Sequence, residues 1–285
     1  MSTWKELFDR LQHRFGDCLP AMESGDWSGR LTSPPELWSA LSRRGSVRSF
    51  HPTPPALGEL NTIAALALAA PTKSDLQQRD IMLITDPSQL KRIKEILANE
   101  AWVSGSPALV VFCANNHRQR ILHELRGREF ANNHLDAFFN ASVDAAIVLA
   151  TFVLAAEAAG FGTCPISAIR NKASEASDIL GLPDHVFPIA GLAIGSSAET
   201  PEPSLRLPLS LTVHQNRYMQ DEPHSVIEEY DRRRAELQPY ETQREEERFG
   251  KTDPYTWSED KSRQYSLPER ADFGAFIRAK GFLLD

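Results

Sequence analysis

The chain has 285 residues, 41% hydrophobic and 24% charged, the balance of an ordinary soluble globular protein able to bury a sizeable core. Its formal net charge of −7 and pI near 5.7 argue against broad nucleic-acid binding, for which a basic domain is the usual footprint. Cys18, Cys113 and Cys164 are far apart and form no Cys-x-x-Cys pair, so neither a disulfide framework nor a cysteine zinc site is indicated.

In chain order, residues 2–15 place Trp4, Leu7, Leu11 and Phe15 on one face of an amphipathic helix, a pattern unlike a signal peptide. Residues 22–35 are rich in turn formers and read as a linker. A second helix is expected from Pro35 to near Arg44 and Gly45, and a third over Ala56 to Ala69. "DIMLITD" (80–86) reads as a strand, and Asp86-Pro87-Ser88 then opens a helix reaching about Asn99. "PALVVFCA" (107–114) is apolar throughout, the pattern of a strand buried on both faces. Helices are expected over 117–129 and 134–159, a short extended segment over 163–167, and a helix around 172–180. A second buried strand follows at 186–195, "VFPIAGLAIG".

The most apolar run, Ala145 to Ala156, is flanked by Asp144 and Glu157 and falls short of the ~20 residues of a membrane span, so no membrane association and a cytoplasmic protein are expected. The Ala-rich helix around it is apolar nearly all round. It reads either as a central core helix or as one shared between a core and a dimer interface. From residue 215 to 270, Glu, Arg, Gln, Asp and Tyr dominate. So few aliphatics predict no core of its own, and the stretch is expected to stay mobile or to pack along something else, such as a second subunit.

Several familiar motifs fail on inspection. "GFGTCP" (160–165) has Pro165 where a dinucleotide fingerprint needs glycine, and "GKT" (250–252) has Glu245 where a Walker loop begins with glycine. "GSSAE" lacks the spacing of a hydrolase elbow. His117, His123 and His134 have no metal-motif spacing. What remains is "RRGSVRSF" (43–50). Gly45 and Ser46 can present backbone N–H groups and a hydroxyl while Arg44 and Arg48 supply charge, which allows an anion nest, although arginines at a helix end are more often a solvated face. Arg43 reads as a solvated neighbour.

Further along, "APTKSDLQ" (70–77) resembles the Ala-Pro-Ser/Thr-x-x-x-x-Gln loop of the nitroreductase family of FMN-dependent NAD(P)H oxidoreductases, which carry an Arg-x-Ser-x-Arg segment upstream, as "RGSVR" (44–48) does here. "GFGTCPISAIRN" (160–171), "LGLPDHVFPIAGLAIG" (180–195), "LRLPLSLTVHQNRY" (205–218), "TWSEDKSRQ" (256–264) and "IRAKGF" (277–282) follow in the family's order. The arrangement is similar to the oxygen-insensitive NADPH nitroreductase and flavin reductase branch over roughly residues 36–285.

The resemblance implies an α+β fold with a mixed sheet flanked by helices, built as an intertwined homodimer with FMN at the subunit interface. Residues 1–35 would then be an N-terminal extension, 36–214 the FMN-binding core and 215–285 a polar arm packing on the core or partner subunit. By the same resemblance Arg44, Ser46, Arg48 and Arg206 hold the FMN phosphate and ribityl chain. Thr72, Ser74 and Gln77 line the isoalloxazine and ribityl, and Pro165, Ile166, Ser167 and Ala168 cover a flavin face. The implied reaction passes hydride from NADPH or NADH through flavin N5 to a small-molecule acceptor such as a nitroaromatic or quinone, in ping-pong fashion, with no protein nucleophile. Cys164 reads as a small buried hydrophobe. Alternatives are a specialised reaction on the same fold (dehalogenation, flavin fragmentation or metabolite oxidation) and a non-catalytic flavin-binding protein. The sequence departs from the family pattern at Ser167 and Ala168, where two glycines are usual, at Ser204 in place of a basic residue, and at Glu100 in place of an amide.

Overall fold

The computed structural model describes residues 3–17, 33–219 and 222–285. Cys18 and most of the expected linker lie outside the described residues. In chain order the elements are α1 (Trp4–Phe15), α2 (Glu36–Arg43), α3 (Leu57–Leu68), β1 (Arg79–Ile84), α4 (Pro87–Ile96), β2 (Ala108–Asn115), α5 (His117–Arg126), α6 (Leu135–Ala158), β3 (Gly162–Ile166), α7 (Ala173–Leu180), β4 (Val186–Gly195), α8 (Leu209–Thr212), α9 (Pro223–Leu237), α10 (Glu246–Phe249), α11 (Trp257–Tyr265) and α12 (Phe273–Ala279). Short 3-10 turns occupy Lys73–Asp75, Ala101–Gly105 and Ser167–Lys172. They divide into two compact units, one of residues 1–45 and 201–269, the other of residues 46–200 and 270–285.

The second unit is an α+β sandwich around a four-stranded sheet in the order β1-β2-β4-β3. All three pairings are antiparallel, where a mixed sheet was expected. The cause is visible at β1 and β2. The excursion through α4 brings the chain back to the end of the sheet where β1 stopped, so that Ile84 pairs with Leu109. β2 is buried along its whole length, and its alternating side chains feed two cores. Val110 and Phe112 meet Leu60 and Ile63 of α3 and Val148 and Phe152 of α6, with the Phe112 and Phe152 rings edge to face at 5.3 Å. Leu109, Val111 and Cys113 face the opposite way, onto Ile93 of α4 and Ala176 and Leu180 of α7. Burial on that face pushes the Cys113 thiol far above its ordinary range, so it is a packing group. The register between β2 and β4 shifts at Phe112/Cys113, next to Pro188, which has no N–H to donate to the ladder. A third cluster joins Phe187 to Ile277 of α12 and Phe282.

At 24 residues α6 has the length and composition to cross a bilayer. It serves instead as a core helix, with Ala141, Ala145, Val148 and Phe152 fully buried and a buried carboxylate, Asp144, in mid-helix. Its other face leaves Leu135, Phe139 and Val143 exposed, and α3 beside it exposes Leu57 and Leu66.

In the first unit α1 begins with a reciprocal capping box. Thr3 Oγ1 accepts from Glu6 N–H and Glu6 accepts from Thr3 N–H; the helix ends at Gly16, whose φ of 81° favours glycine. Trp4 of α1 meets Trp38 of α2 edge to face at 6.0 Å. The polar stretch after residue 215, expected to lack a core, is ordered into α9, α10 and α11 by hydrogen bonds in place of aliphatic packing. Arg263 is 2% exposed and donates to Glu259 Oε1, the carbonyls of Arg244 and Gly250, and Thr252 Oγ1 at 2.6–3.0 Å. Asp231 of α9 accepts from both the backbone N–H and the hydroxyl of Ser258 in α11. The buried Arg263 guanidinium is stable because four of its five N–H donors are met.

Candidate functional site

In the first unit, Arg44 and Arg206 from the predicted site line one concavity of about 600 Å³. A third arginine shares it, Arg14, from the last turn of α1. Leu7, Leu11, Trp38 and Leu41 supply apolar walls. Two backbone features hold the arrangement. The Arg206 N–H donates to the Arg14 carbonyl at 2.8 Å, pinning the 206 segment to the end of α1. Gly45 lets the chain at Pro201–Glu202 pass close by, since a Cβ there would stand 2.7 Å from the Glu202 carbonyl oxygen.

Arg14 is 9% exposed, Arg44 half-buried and Arg206 exposed. One Arg14 Nη donates to the Leu41 carbonyl at 3.2 Å, while its Nε is buried with no hydrogen-bond partner. Among the described residues neither Arg14 nor Arg206 pairs with a carboxylate. Burial, and then the positive charges of Arg206 and Arg44, push the Arg14 guanidinium below its ordinary value. Like charges gathered in one concavity suit an anion, such as a phosphate monoester. Sequence reasoning missed Arg14. A single arginine in the last turn of a helix carries no motif, since it ordinarily just complements the helix dipole.

In the second unit, Ser46 and Arg48 sit on an extended segment laid beside the β3 end of the sheet. Val47 N–H donates to the Thr163 carbonyl at 2.9 Å, His51 N–H to Ser196 and Ala198 N–H to Ser49. Strand alternation turns Val47 inward, 2% exposed, and puts Ser46 and Arg48 together on the other side. Gly162 accommodates Val47, as a Cβ there would lie 2.8 Å from a Val47 methyl. The backbone N–H groups of Arg48 and Ser49 both donate to Glu199 Oε1, and the Arg48 guanidinium lies 5.9 Å from the centre of the Trp102 ring. Glu100 in turn accepts from the Trp102 indole N–H at 3.2 Å.

Thr72, Ser74 and Gln77 lie on a loop of unusual backbone. Ser74, Asp75 and Gln77 all have φ between 49° and 57°, a region that non-glycine residues adopt only when the surroundings enforce it. The enforcing group is Asp144, 1% exposed in the apolar helix α6. Its two oxygens accept from the Lys73 N–H at 3.0 Å and the Gln78 N–H at 2.9 Å, so one buried carboxylate clamps both ends of the loop. Arg118 adds a bond to the Gln77 carbonyl and Gln119 one to that of Leu76. The clamp leaves the Ser74 and Gln77 side chains exposed and Thr72 half-buried. In the sequence Asp144 marks only the edge of an apolar run. A lone carboxylate inside a buried helix was the available signal.

Pro165 and Ser167 are exposed and Ala168 half-buried at the end of β3. The Ile166 side chain, 3% exposed, belongs to the core with Ile169 and Ala193, so only its backbone is available to a ligand. Cys164 is buried as expected. Pro165 sits where a proline is tolerated, on the edge strand of the sheet. Among the described residues no group of His, Cys, Asp and Glu is arranged to hold a metal ion.

The chain matches the model of the nitroreductase family over residues 41–196 and that of the nitroreductase family, C-terminal domain, over residues 204–285. It is 31% identical to a Bacillus subtilis protein named FMN reductase [NAD(P)H] over 255 residues, covering 88% of this chain and 99% of that one. A Vibrio harveyi protein named NADPH-flavin oxidoreductase is 30% identical over 61% of this chain and 71% of its own. The solved structure of B. megaterium NfrA2 superposes with a TM-score of 0.80 at 28% identity, over 88% of this chain and all of that one. Residues 41–285 thus carry both parts of the family pattern, and the chain belongs to the nitroreductase family.

Proposed function

We propose that the protein is an FMN-dependent NAD(P)H oxidoreductase of the flavin reductase type. The observation that carries this reading is the 31% identity, across nearly all of both chains, to a relative named FMN reductase [NAD(P)H]. The lining of one concavity by Arg14, Arg44 and Arg206 supports the cofactor reading separately, because it gathers three positive charges where a phosphate could be held.

Bound FMN would supply the two-electron chemistry that links NADPH or NADH to an acceptor in a ping-pong cycle. The chain's own residues bind and orient. Arg44 and Arg206 offer charge to the phosphate, and Ser46 and Arg48 offer a hydroxyl and a guanidinium from one side of their extended segment. Thr72, Ser74 and Gln77, held by Asp144, offer polar groups to the ribityl and ring. Pro165 and the backbone of Ile166, Ser167 and Ala168 offer an edge of peptide groups that needs no side-chain acid.

The exposed leucines of α3 and the exposed Leu135, Phe139 and Val143 of α6 supply an apolar surface suited to a homodimer, the assembly we assign to the working enzyme in the cytoplasm. Steady-state oxidation of NADPH and NADH with a nitroaromatic, a quinone and free FMN as acceptors tests the proposal. Parallel double-reciprocal lines with at least one acceptor are expected. Intersecting lines contradict the ping-pong cycle, and no turnover with any acceptor contradicts the reading as an oxidoreductase.

A further inference from the structure

Helix α1 ends at Phe15 and lies wholly outside residues 41–285, where the family pattern is matched. It nevertheless delivers a buried arginine to the same wall as Arg44 and Arg206. We infer that Arg14 is a third phosphate-binding residue of this protein, supplied by its N-terminal helix, and that it grips the phosphate monoester of FMN. The inference rests on the FMN reading above.

Four observations carry it. Arg14 is only 9% exposed, yet its Nε has no hydrogen-bond partner among the described residues. Its side-chain bond to the Leu41 carbonyl uses a single Nη and leaves the edge of the fork at Nε unmatched among the described residues. Arg206 and Arg44 act on it as like charges, and Arg14 itself pairs with no carboxylate among the described residues. The backbone bond from Arg206 N–H to the Arg14 carbonyl fixes the two residues in register, so the clustering is built and not a chance meeting of long side chains. A guanidinium is held in such company at a cost unless an anion repays it, and a phosphate dianion can take charge-assisted bonds from several arginines at once.

Arg14 also caps the end of α2 through Leu41, so a purely structural role makes a different prediction. The test is Arg14→Gln in the full-length chain, stripped of flavin and titrated with FMN and with riboflavin, which lacks the phosphate. The expected result is an FMN Kd raised about tenfold or more, with riboflavin affinity changed less than twofold. Equal weakening of FMN and riboflavin overturns the inference in favour of a structural role. Unchanged FMN affinity together with a raised KM for NADPH but not for NADH overturns it in favour of the nucleotide's 2′-phosphate. Should Arg14→Gln fail to fold, Arg14→Met keeps an apolar stem among Leu7, Leu11 and Trp38 and is read the same way. If the wild-type chain binds no FMN, the functional reading falls. If wild type binds FMN and both Arg14 variants bind it equally well, only this inference falls.

Discussion

The backbone N–H of Arg206 donates to the carbonyl of Arg14 across 192 positions of chain. That one bond ties the segment of the family pattern that begins at residue 204 to a helix the pattern does not include. Its consequence is electrostatic. Two guanidinium groups share a wall with a third, from Arg44, and Arg14 is held below its ordinary value by burial and by both neighbours.

Arg48 and Arg43 lie five residues apart in the same basic stretch but have different expected effects. Arg48→Ala should weaken FMN binding about tenfold at low ionic strength and less at high salt, because an exposed guanidinium acts through a screened charge. Arg43→Ala, an exposed residue with no part in the proposed site, should leave binding unchanged. Fluorescence titration with FMN at two salt concentrations reads both.

Asp144 is expected to control the 72–77 loop from within the core. Asp144→Ala leaves the buried Gln78 N–H without its acceptor and should cost about 1–3 kcal/mol from that group alone. Asp144→Asn keeps one acceptor oxygen and should lose less. Urea denaturation measures the stability, and FMN affinity should fall in the same order, Ala below Asn below wild type.

Two glycines should respond oppositely to alanine. Gly45→Ala places a methyl 2.7 Å from a backbone carbonyl that cannot swing away, and should destabilise by about 1–3 kcal/mol while lowering FMN affinity. Gly58→Ala, in the first turn of α3 with nothing within 4 Å, should stabilise by up to about 1 kcal/mol. Thermal denaturation of the two variants gives the signs directly.

His185 makes the docking of the C-terminal segment pH-dependent. Its Nε2 lies 3.0 Å from the Gly281 carbonyl, and burial, joined by the positive charge of Arg120 and by His117, lowers its pKa against the opposing effects of the Gly281 bond and Asp184. A lowered histidine value means that the unfolded chain takes up the proton first. The stabilising contribution is therefore full above about pH 6.5 and is lost as the pH falls through the folded-state value. His185→Gln should flatten the stability profile between about pH 7 and pH 5. An unchanged slope would assign the acid sensitivity elsewhere.

The sheet was readable in the sequence because β2 and β4 are apolar on both faces, and β4 runs from Val186 to Gly195 as the pattern predicted. The capped start of α4 was readable for a local reason, since Asp86 bonds within its own first turn. What escaped was carried by partners distant in sequence. Arg263 orders the polar stretch through bonds to Arg244, Gly250 and Thr252, and nothing in its neighbourhood marks it as buried. Asp144 looks like the end of an apolar run but clamps a loop some seventy positions upstream. The antiparallel course of the sheet depends on where α4 returns the chain, which composition does not encode.

The central claim is that this chain binds FMN and reduces it with a nicotinamide nucleotide. Anaerobic titration of the FMN-loaded protein with NADPH and then NADH, following the flavin absorbance, tests it most directly. Bleaching by at least one nucleotide, with colour restored on adding a quinone or nitroaromatic, is the predicted result. A chain that retains no flavin after FMN addition, or a bound flavin that neither nucleotide bleaches, would contradict it.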